Sequence, residues 1–308
     1  MSQDAGDHKR APVDPELLKE VRRIQVRTDR LVTDVVSGGY QSVFRGSGIE
    51  FDEVREWTEG DDYRSVDWNV TARQGRPFIK KYVEERELTL LFLLDRSRSM
   101  AFGSGRRDGA PKSLQRIAAE FCACLGLSAS RNNDKIGLVA FSKDTELFVP
   151  PKKGRGHVLR ILRECLAPCT AEGTDIGRAL GYAAHVQRKR AIVFVLSDFC
   201  TRLPERELRL LAKRHDVTLA PCSDPRMREL PKSGLLRLRD LESGREVVVD
   251  AASPAVRARY AEAMAARAEA LHQQARRTGA DWLPLSTERS VSSSVVEFFR
   301  RRELRGSR

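Results

Sequence analysis

Five oxygen-bearing side chains, carried by three separated runs, have the types and spacing to hold a hard divalent cation. They are Asp95, Ser97 and Ser99 in Asp95-Arg96-Ser97-Arg98-Ser99, Thr174 in Gly173-Thr174-Asp175, and Asp198 in Ser197-Asp198. Alternate residues after a strand can aim their side chains the same way, so the first run can offer one carboxylate and two hydroxyls to a single point. A purely oxygen donor set suits Mg²⁺, which keeps some of its water; Mn²⁺ and Ca²⁺ are the alternatives. Two carboxylates would balance the ion's charge, and at least one coordination position would stay open to water or to an incoming oxygen. Each run also has a plainer use: Ser97 and Ser99 can cap the following turn, and Thr174 can be a helix N-cap.

The elements that must position these side chains are legible in the hydrophobic pattern. Leu88 to Leu94 is a near-continuous apolar run, as expected of a strand covered on both faces, and Asp95 stands at its carboxyl end. Ala191 to Leu196 reads as a second buried strand that delivers Asp198, and Val217 to Pro221 as a third. Thr174 opens a helix through Gln187. Helices are expected over 113–130, 156–166 and 204–214, a strand over 135–141, and a hairpin partner over 145–149. A second hairpin is expected around Ser243-Gly244, then a long Ala-rich helix capped by Ser253, a last strand over 282–285 and a final helix from about Ser290. This alternation predicts a Rossmann-like, doubly wound α/β sheet over residues 87–308. In such sheets ligands bind at the carboxyl ends of the strands, near the reversal in strand order. Before it the sequence predicts a disordered tail over 1–12 and a helical and β-like extension over 13–86, whose helix starts at Asp14-Pro15 and stops at Ser37-Gly38-Gly39.

Within that extension lies a dense run: Glu50-Phe51-Asp52-Glu53-Val54-Arg55-Glu56-Trp57, then Gly60-Asp61-Asp62-Tyr63-Arg64-Ser65-Val66-Asp67-Trp68, then Thr71-Ala72-Arg73. Asp61 or Asp62 can cap a short helix through Trp68. Arg55, Arg64 and Arg73 can form ion pairs with Glu56, Asp61, Asp62 and Asp67. Trp57 and Trp68 are expected to be buried against a sheet, making the run a structural clasp or, in a sharper reading, a docking surface or a ligand site.

Two resemblances follow from these residues. The Asp-x-Ser-x-Ser run, Gly173-Thr174-Asp175-Ile176-Gly177 and Ser197-Asp198-Phe199, in that order, resemble the metal-ion-dependent adhesion site of von Willebrand A domains at all five ligand positions. That resemblance implies a von Willebrand A-type fold and a partner whose Glu or Asp completes the metal sphere. The upstream run, continued by Lys80-Lys81-Tyr82-Val83-Glu84-Glu85-Arg86-Glu87 into Asp95, resembles the bacterial family called domain of unknown function 58. It implies an adaptor or chaperone role with a MoxR-type AAA+ ATPase, or with that ATPase's client, in maturing or assembling other proteins.

Composition narrows the alternatives. With no apolar run near the ~20 residues needed to cross a bilayer and a polar start that lacks a signal-peptide core, a cytoplasmic protein is expected. The six cysteines show no zinc-knuckle spacing and the five histidines no ligand motif. The net charge of +12 raises a second reading, a nucleic-acid or anionic-membrane binder, but the cations are dispersed and lack interleaved aromatics, so no specific nucleic acid is expected. A metal-dependent phosphohydrolase is disfavoured, because Ser97 stands where a general acid would be needed. No phosphate-binding Gly-Lys loop and no Gly-x-Ser-x-Gly elbow occurs, so the protein is expected not to be an enzyme. Arg96 and Arg98 are expected to add positive potential beside the ligands.

Overall fold

The computed structural model describes residues 49–306, apart from 59, 60, 63, 65, 85, 86, 108, 109, 170, 242 and 243, together with residues 19 and 22–24. The expected tail over 1–12 and the helix stop at Ser37-Gly38-Gly39 lie outside the described residues. Phe44–Leu88 forms one compact unit, and residues 1–43 with 89–308 form the other.

In the small unit, β1 (Ile49–Glu56) pairs antiparallel with β2 (Phe78–Glu84), with a register shift between Phe51 and Glu53. The intervening helix, α1, spans Trp68–Gln74. Its N-cap is Asp67, not Asp61 or Asp62: the Asp67 carboxylate accepts the Asn69 and Val70 N–H groups at 3.0 and 3.4 Å. Trp68 therefore begins the helix rather than ending it. It is also 70% exposed, which corrects the expectation that it packs into a core. Gly75 ends the helix at φ 70°, and Thr71 Oγ1 accepts the Phe78 N–H at 3.0 Å, tying α1 to β2. Some of the expected charge pairs are seen among the described residues. Arg55 grips Asp61 with two bonds, at 2.7 and 2.9 Å, and this holds the Asp61 carboxyl down at about 2. Glu56 instead pairs with Arg76, and Asp62 accepts the Arg64 backbone N–H.

The large unit is built on a seven-stranded sheet whose path starts with β3 (Thr89–Asp95) at its centre. After it come the short pair β4 (Gly105–Arg107) and β5 (Ala110–Lys112), then α2 (Leu114–Arg131), β6 (Lys135–Phe141), β7 (Thr145–Lys152), α3 (Arg155–Cys165) and α4 (Ile176–Val186). Next are β8 (Ile192–Ser197), α5 (Glu205–Ala212), β9 (Asp216–Ser223), α6 (Pro225–Arg228), the hairpin β10 (Leu235–Arg239) and β11 (Glu246–Asp250), and α7 (Pro254–Thr278). The chain ends in β12 (Asp281–Trp282), β13 (Leu285–Ser286) and α8 (Val291–Gly306). The order across the sheet is β12-β9-β8-β3-β6-β7, parallel throughout except for the β6–β7 hairpin. The chain leaves β3 to one side for β6 and β7, then crosses back to build β8, β9 and β12 on the other. The reversal of strand order thus falls between β3 and β8.

The expected last strand is split in two. Trp282 and Leu285 both lie along β9, but Pro284 has no N–H to give and the ladder breaks there.

The two faces of the sheet are packed by alternate residues. Leu91, Leu93, Val193 and Val195 point to the side of α4 and α5 and pack with Leu180, Leu208 and Leu211. On the other side Phe92, Phe121 of α2 and Phe194 form a cluster of aromatic edges and faces, with Phe121 and Phe194 centroids 5.2 Å apart. Burial on both faces is why these strands read as unbroken apolar runs.

At the carboxyl ends of the strands one carboxylate joins three loops. Asp224, with no exposed surface, follows β9 and accepts Ser104 Oγ and N–H at 2.6 and 3.1 Å, Thr287 Oγ1 at 2.7 Å and the Arg226 N–H at 2.9 Å. Asp224→Ala leaves the buried Thr287 hydroxyl and the part-buried Ser104 and Arg226 donors without this acceptor and is expected to cost about 2–4 kcal/mol, read by urea unfolding of the full chain; a cost under ~1 kcal/mol would show that the cluster is not a structural joint. In the small unit, Asp67→Ala is expected to cost about 1 kcal/mol and Trp68→Ala under ~0.5 kcal/mol by the same measurement, the reverse of what a buried tryptophan would give.

Candidate metal centre

Asp95 follows Leu91 and Leu93 on the same face of β3, and Ser197 follows Val193 and Val195 on the same face of β8. The register pairs Leu94 with Leu196, so Asp95 and Ser197 come side by side where the strand order reverses. Ser197 Oγ donates to Asp95 Oδ2 at 2.6 Å, and the Ser97 N–H donates to Asp95 Oδ1 at 2.8 Å. Asp95, Ser97 and Ser197 have no exposed surface. Ser97 Oγ and Ser99 Oγ lie 3.0 Å apart, so the two hydroxyls of the first run do face one another.

The Thr174 segment is tied to this loop through its backbone. Ser97 bridges Ala171, and the Arg98 N–H donates to the Ala171 carbonyl at 2.9 Å. Gly173 then turns the chain at φ 81°, Thr174 is half-buried, and Asp175 caps α4 by accepting the Arg178 N–H at 3.0 Å. Thr174 therefore stands just before the helix, and the capping role that the sequence allowed it belongs to Asp175.

Asp198 sits on a constrained turn. Phe199 adopts φ 49°, a left-handed conformation that costs a residue with a Cβ roughly 1 kcal/mol or more. The turn is held by the Phe199 N–H to Ser197 Oγ bond at 3.0 Å, by Arg267 Nη2 donating to the Phe199 carbonyl at 3.1 Å, and by burial of the Phe199 ring. The Cys200 N–H donates to Asp198 Oδ1 at 2.9 Å, whereas Asp198 Oδ2 is buried and takes no hydrogen bond among the described residues. Asp198 is close enough to Asp95 for its charge to act on it. Burial first, and then that repulsion, push the Asp95 carboxyl up to about 6, against the lowering effect of the Ser197 and Ser97 bonds.

Arg96 and Arg98 do not face these carboxylates as free charges. Arg96 pairs with Glu146 at 3.5 Å and also donates to the Pro168 carbonyl, and Arg98 pairs with Glu172 at 3.0 Å. The positive field expected from them is balanced locally. Ser197, not singled out as a ligand or positioning group from the sequence, makes the shorter of the two hydrogen bonds to Asp95 described above. Its signal was its place as the last residue of a buried strand, on the same face as Asp95.

The residues fit a hard cation on two observations. One is the buried, unpartnered Asp198 Oδ2, an arrangement that native structures rarely leave unexplained. The other is the donor chemistry: two carboxylates and hydroxyls, all oxygen. Among the described residues no group of three or more His, Cys, Asp or Glu side chains could hold a metal ion, so the candidate set is two carboxylates with hydroxyls.

A family model described as "Protein of unknown function DUF58" matches residues 53–270. The chain belongs to this family. An uncharacterized protein of Mycobacterium tuberculosis (strain ATCC 25618 / H37Rv) is 31% identical to this DUF58 protein over 295 residues, 92% of this chain and 89% of its own. The uncharacterized protein YeaD of Bacillus subtilis (strain 168) is 26% identical over 202 residues, 62% of this chain and 47% of its own. Among solved structures, the conserved hypothetical protein BatB from Bacteroides thetaiotaomicron is similar over 70% of this chain and 98% of its own, at 17% identity and a TM-score of 0.43. The SpRpn10 VWA domain is similar over 68% of this chain and 94% of its own, at 11% identity and a TM-score of 0.37. The large unit has the von Willebrand A-like, doubly wound fold, and its own strand order carries that assignment.

The raised Asp95 carboxyl has a thermodynamic consequence. A carboxyl whose folded value exceeds its unfolded value binds its proton more tightly when folded, so ionising it destabilises the fold. That cost grows as the pH rises from about 4 to about 6 and is complete above it, at up to about 3 kcal/mol for a shift of this size. Asp95→Asn removes the charge and keeps an acceptor for the Ser97 N–H. In chelator at pH 7.5 it is expected to stabilise the protein by about 1–3 kcal/mol, and by about half as much at pH 5. Urea unfolding at the two pH values checks this, and a loss of stability at pH 7.5 would contradict it.

Proposed function

We propose that this DUF58 protein is a metal-dependent protein-binding module, and not an enzyme. Asp95, Ser97, Ser99, Thr174 and Asp198 would hold Mg²⁺, or Mn²⁺ or Ca²⁺ in its place. The observation that carries the reading is the conjunction at the strand-order reversal of Asp95, buried among hydroxyls, with Asp198, whose Oδ2 is buried and unpartnered. The ion would supply an open coordination position that accepts a carboxylate oxygen from a protein partner's Asp or Glu.

The chain's own residues account for the remainder. Ser197 and the Ser97 N–H fix the rotamer of Asp95. The strained Phe199 turn sets Asp198 beside it. Glu146 and Glu172 hold Arg96 and Arg98 in ion pairs, so these arginines do not neutralise the two aspartates. The resemblance to MoxR-associated proteins nominates a MoxR-type AAA+ ATPase, or its client, as the partner, in maturation or assembly of other proteins. Catalysis is disfavoured because Ser97 occupies the position where a phosphohydrolase needs a general acid. Among the described residues no helix is long and apolar enough to cross a membrane; we place the protein in the cytoplasm.

The test is a pulldown from a cell extract of the source organism, run with Mg²⁺ and with chelator and read by mass spectrometry, next to calorimetric titration of Mg²⁺ and Mn²⁺. Asp95→Ala and Thr174→Ala are expected to weaken divalent-ion binding at least roughly tenfold, and to remove the same captured proteins that chelator removes. A AAA+ ATPase retained equally with and without chelator would sink metal-dependent recruitment. Phosphatase turnover that depends on Mg²⁺ and on Asp95 would sink the non-enzymatic reading.

A further inference from the structure

Three basic runs of the large unit stand at one end of its sheet. Arg188-Lys189-Arg190 immediately precedes β8, Lys213-Arg214 precedes β9, and Arg276-Arg277 comes shortly before β12. These three strands run parallel, so all three runs stand at their amino ends, the pole opposite Asp95. The last turns of α8 reach the same pole: Arg302 pairs with Asp216 at the start of β9 (2.6 Å) and with Asp281 at the start of β12 (3.3 Å).

The carboxylates found there are already committed. Asp216 is taken by Arg302, and Asp281 by Arg302 and Arg305. The seven side chains of the three basic runs are exposed, and none forms an ion pair among the described residues. Basic residues at helix carboxyl ends complement the helix dipole, which explains one or two per helix but not an unpaired excess shared by three consecutive crossings. Two large apolar side chains are exposed at the same pole. Leu210, 54% exposed, lies three residues before Lys213, and Leu304, 69% exposed, lies two after Arg302.

We propose that this pole docks on the anionic headgroups of a lipid bilayer, with the candidate metal loops facing away from it. Each basic residue near an anionic bilayer strengthens binding roughly fivefold, and leucines beside them can enter the headgroup boundary. Nucleic acid fits less well. The exposed large side chains at the pole are leucines, which offer no ring on which a base could stack. This inference does not depend on the metal reading, since it uses the opposite end of the strands.

The experiment sediments the full chain with vesicles of phosphatidylcholine, with and without phosphatidylglycerol, at low and high salt. Binding is expected only to the anionic vesicles and to fall with salt. The triple variant Lys189→Glu/Lys213→Glu/Arg277→Glu is expected to bind roughly tenfold more weakly or worse. A control triple, Arg226→Glu/Lys232→Glu/Arg239→Glu, makes the same change in net charge after the carboxyl end of β9 and is expected to stay within about twofold. Leu210→Ser/Leu304→Ser, which leaves the charge alone, is expected to weaken vesicle binding as well. Urea midpoints of every variant separate a folding defect from a lost surface. Equal losses in the two triples, no binding to anionic vesicles, or duplex DNA displacing the protein from them through the same three cations would each overturn the proposal.

Discussion

The carboxylate of Asp95 has no exposed surface, and among the described residues it accepts from the Ser197 hydroxyl and the Ser97 backbone N–H, with no arginine or lysine paired with it. An ionised group buried without a counter-charge is costly, and the cost is visible in its raised carboxyl value. The surrounding fold supplies rigidity rather than neutralisation. β3 is the central strand, flanked by parallel neighbours whose faces are both packed, so its end cannot move away from Ser197 without disturbing the sheet. The same sheet order puts Asp198 beside it, although adding a second carboxylate makes the charge problem worse. Two acids close enough for their charges to interact, with one oxygen that takes no hydrogen bond among the described residues, are an arrangement that stability alone would not select.

That polarity organises the whole large unit. Parallel strands gather all their carboxyl ends at one pole, where loops carry acids and hydroxyls, and all their amino ends at the other, where helices arrive with basic last turns. Asp224 shows how the acidic pole can be purely structural: its carboxylate is saturated by four donors from three loops. Asp198 at the same pole is not saturated. The contrast between these two aspartates separates a joint from a candidate site better than burial or charge alone.

Much of this was legible in the sequence because the signals were local. The buried strands announced themselves as apolar runs, Ser113 as a cap, and the Asp95, Thr174 and Asp198 runs as strand or helix ends. What was not legible depends on tertiary choice. Three aspartates in seven residues could each have capped α1, and the backbone before Trp68 selected Asp67. Trp68 is apolar enough to be buried, yet the unit formed by 44–88 leaves it on the surface. The break at Pro284 was readable from its missing N–H, but not that both halves would stay on β9. Ser197 was passed over because a serine at the end of an apolar strand looks like a turn signal until its neighbour across the sheet is known.

The flanking arginines test whether the acidic site was left open by accident. Arg96 and Arg98 are next to Asp95 in sequence, and Arg178 is in the first turn of the helix that follows Thr174. A guanidinium set against either carboxylate would offset its charge. Each is turned elsewhere: Arg96 to Glu146, Arg98 to Glu172, and Arg178 to Asp144 and Asp175. The Arg98 and Arg178 pairs are exposed and add little stability, so stability is a weak reason to keep them. In these pairs the three cations are matched to other carboxylates and not to Asp95 or Asp198.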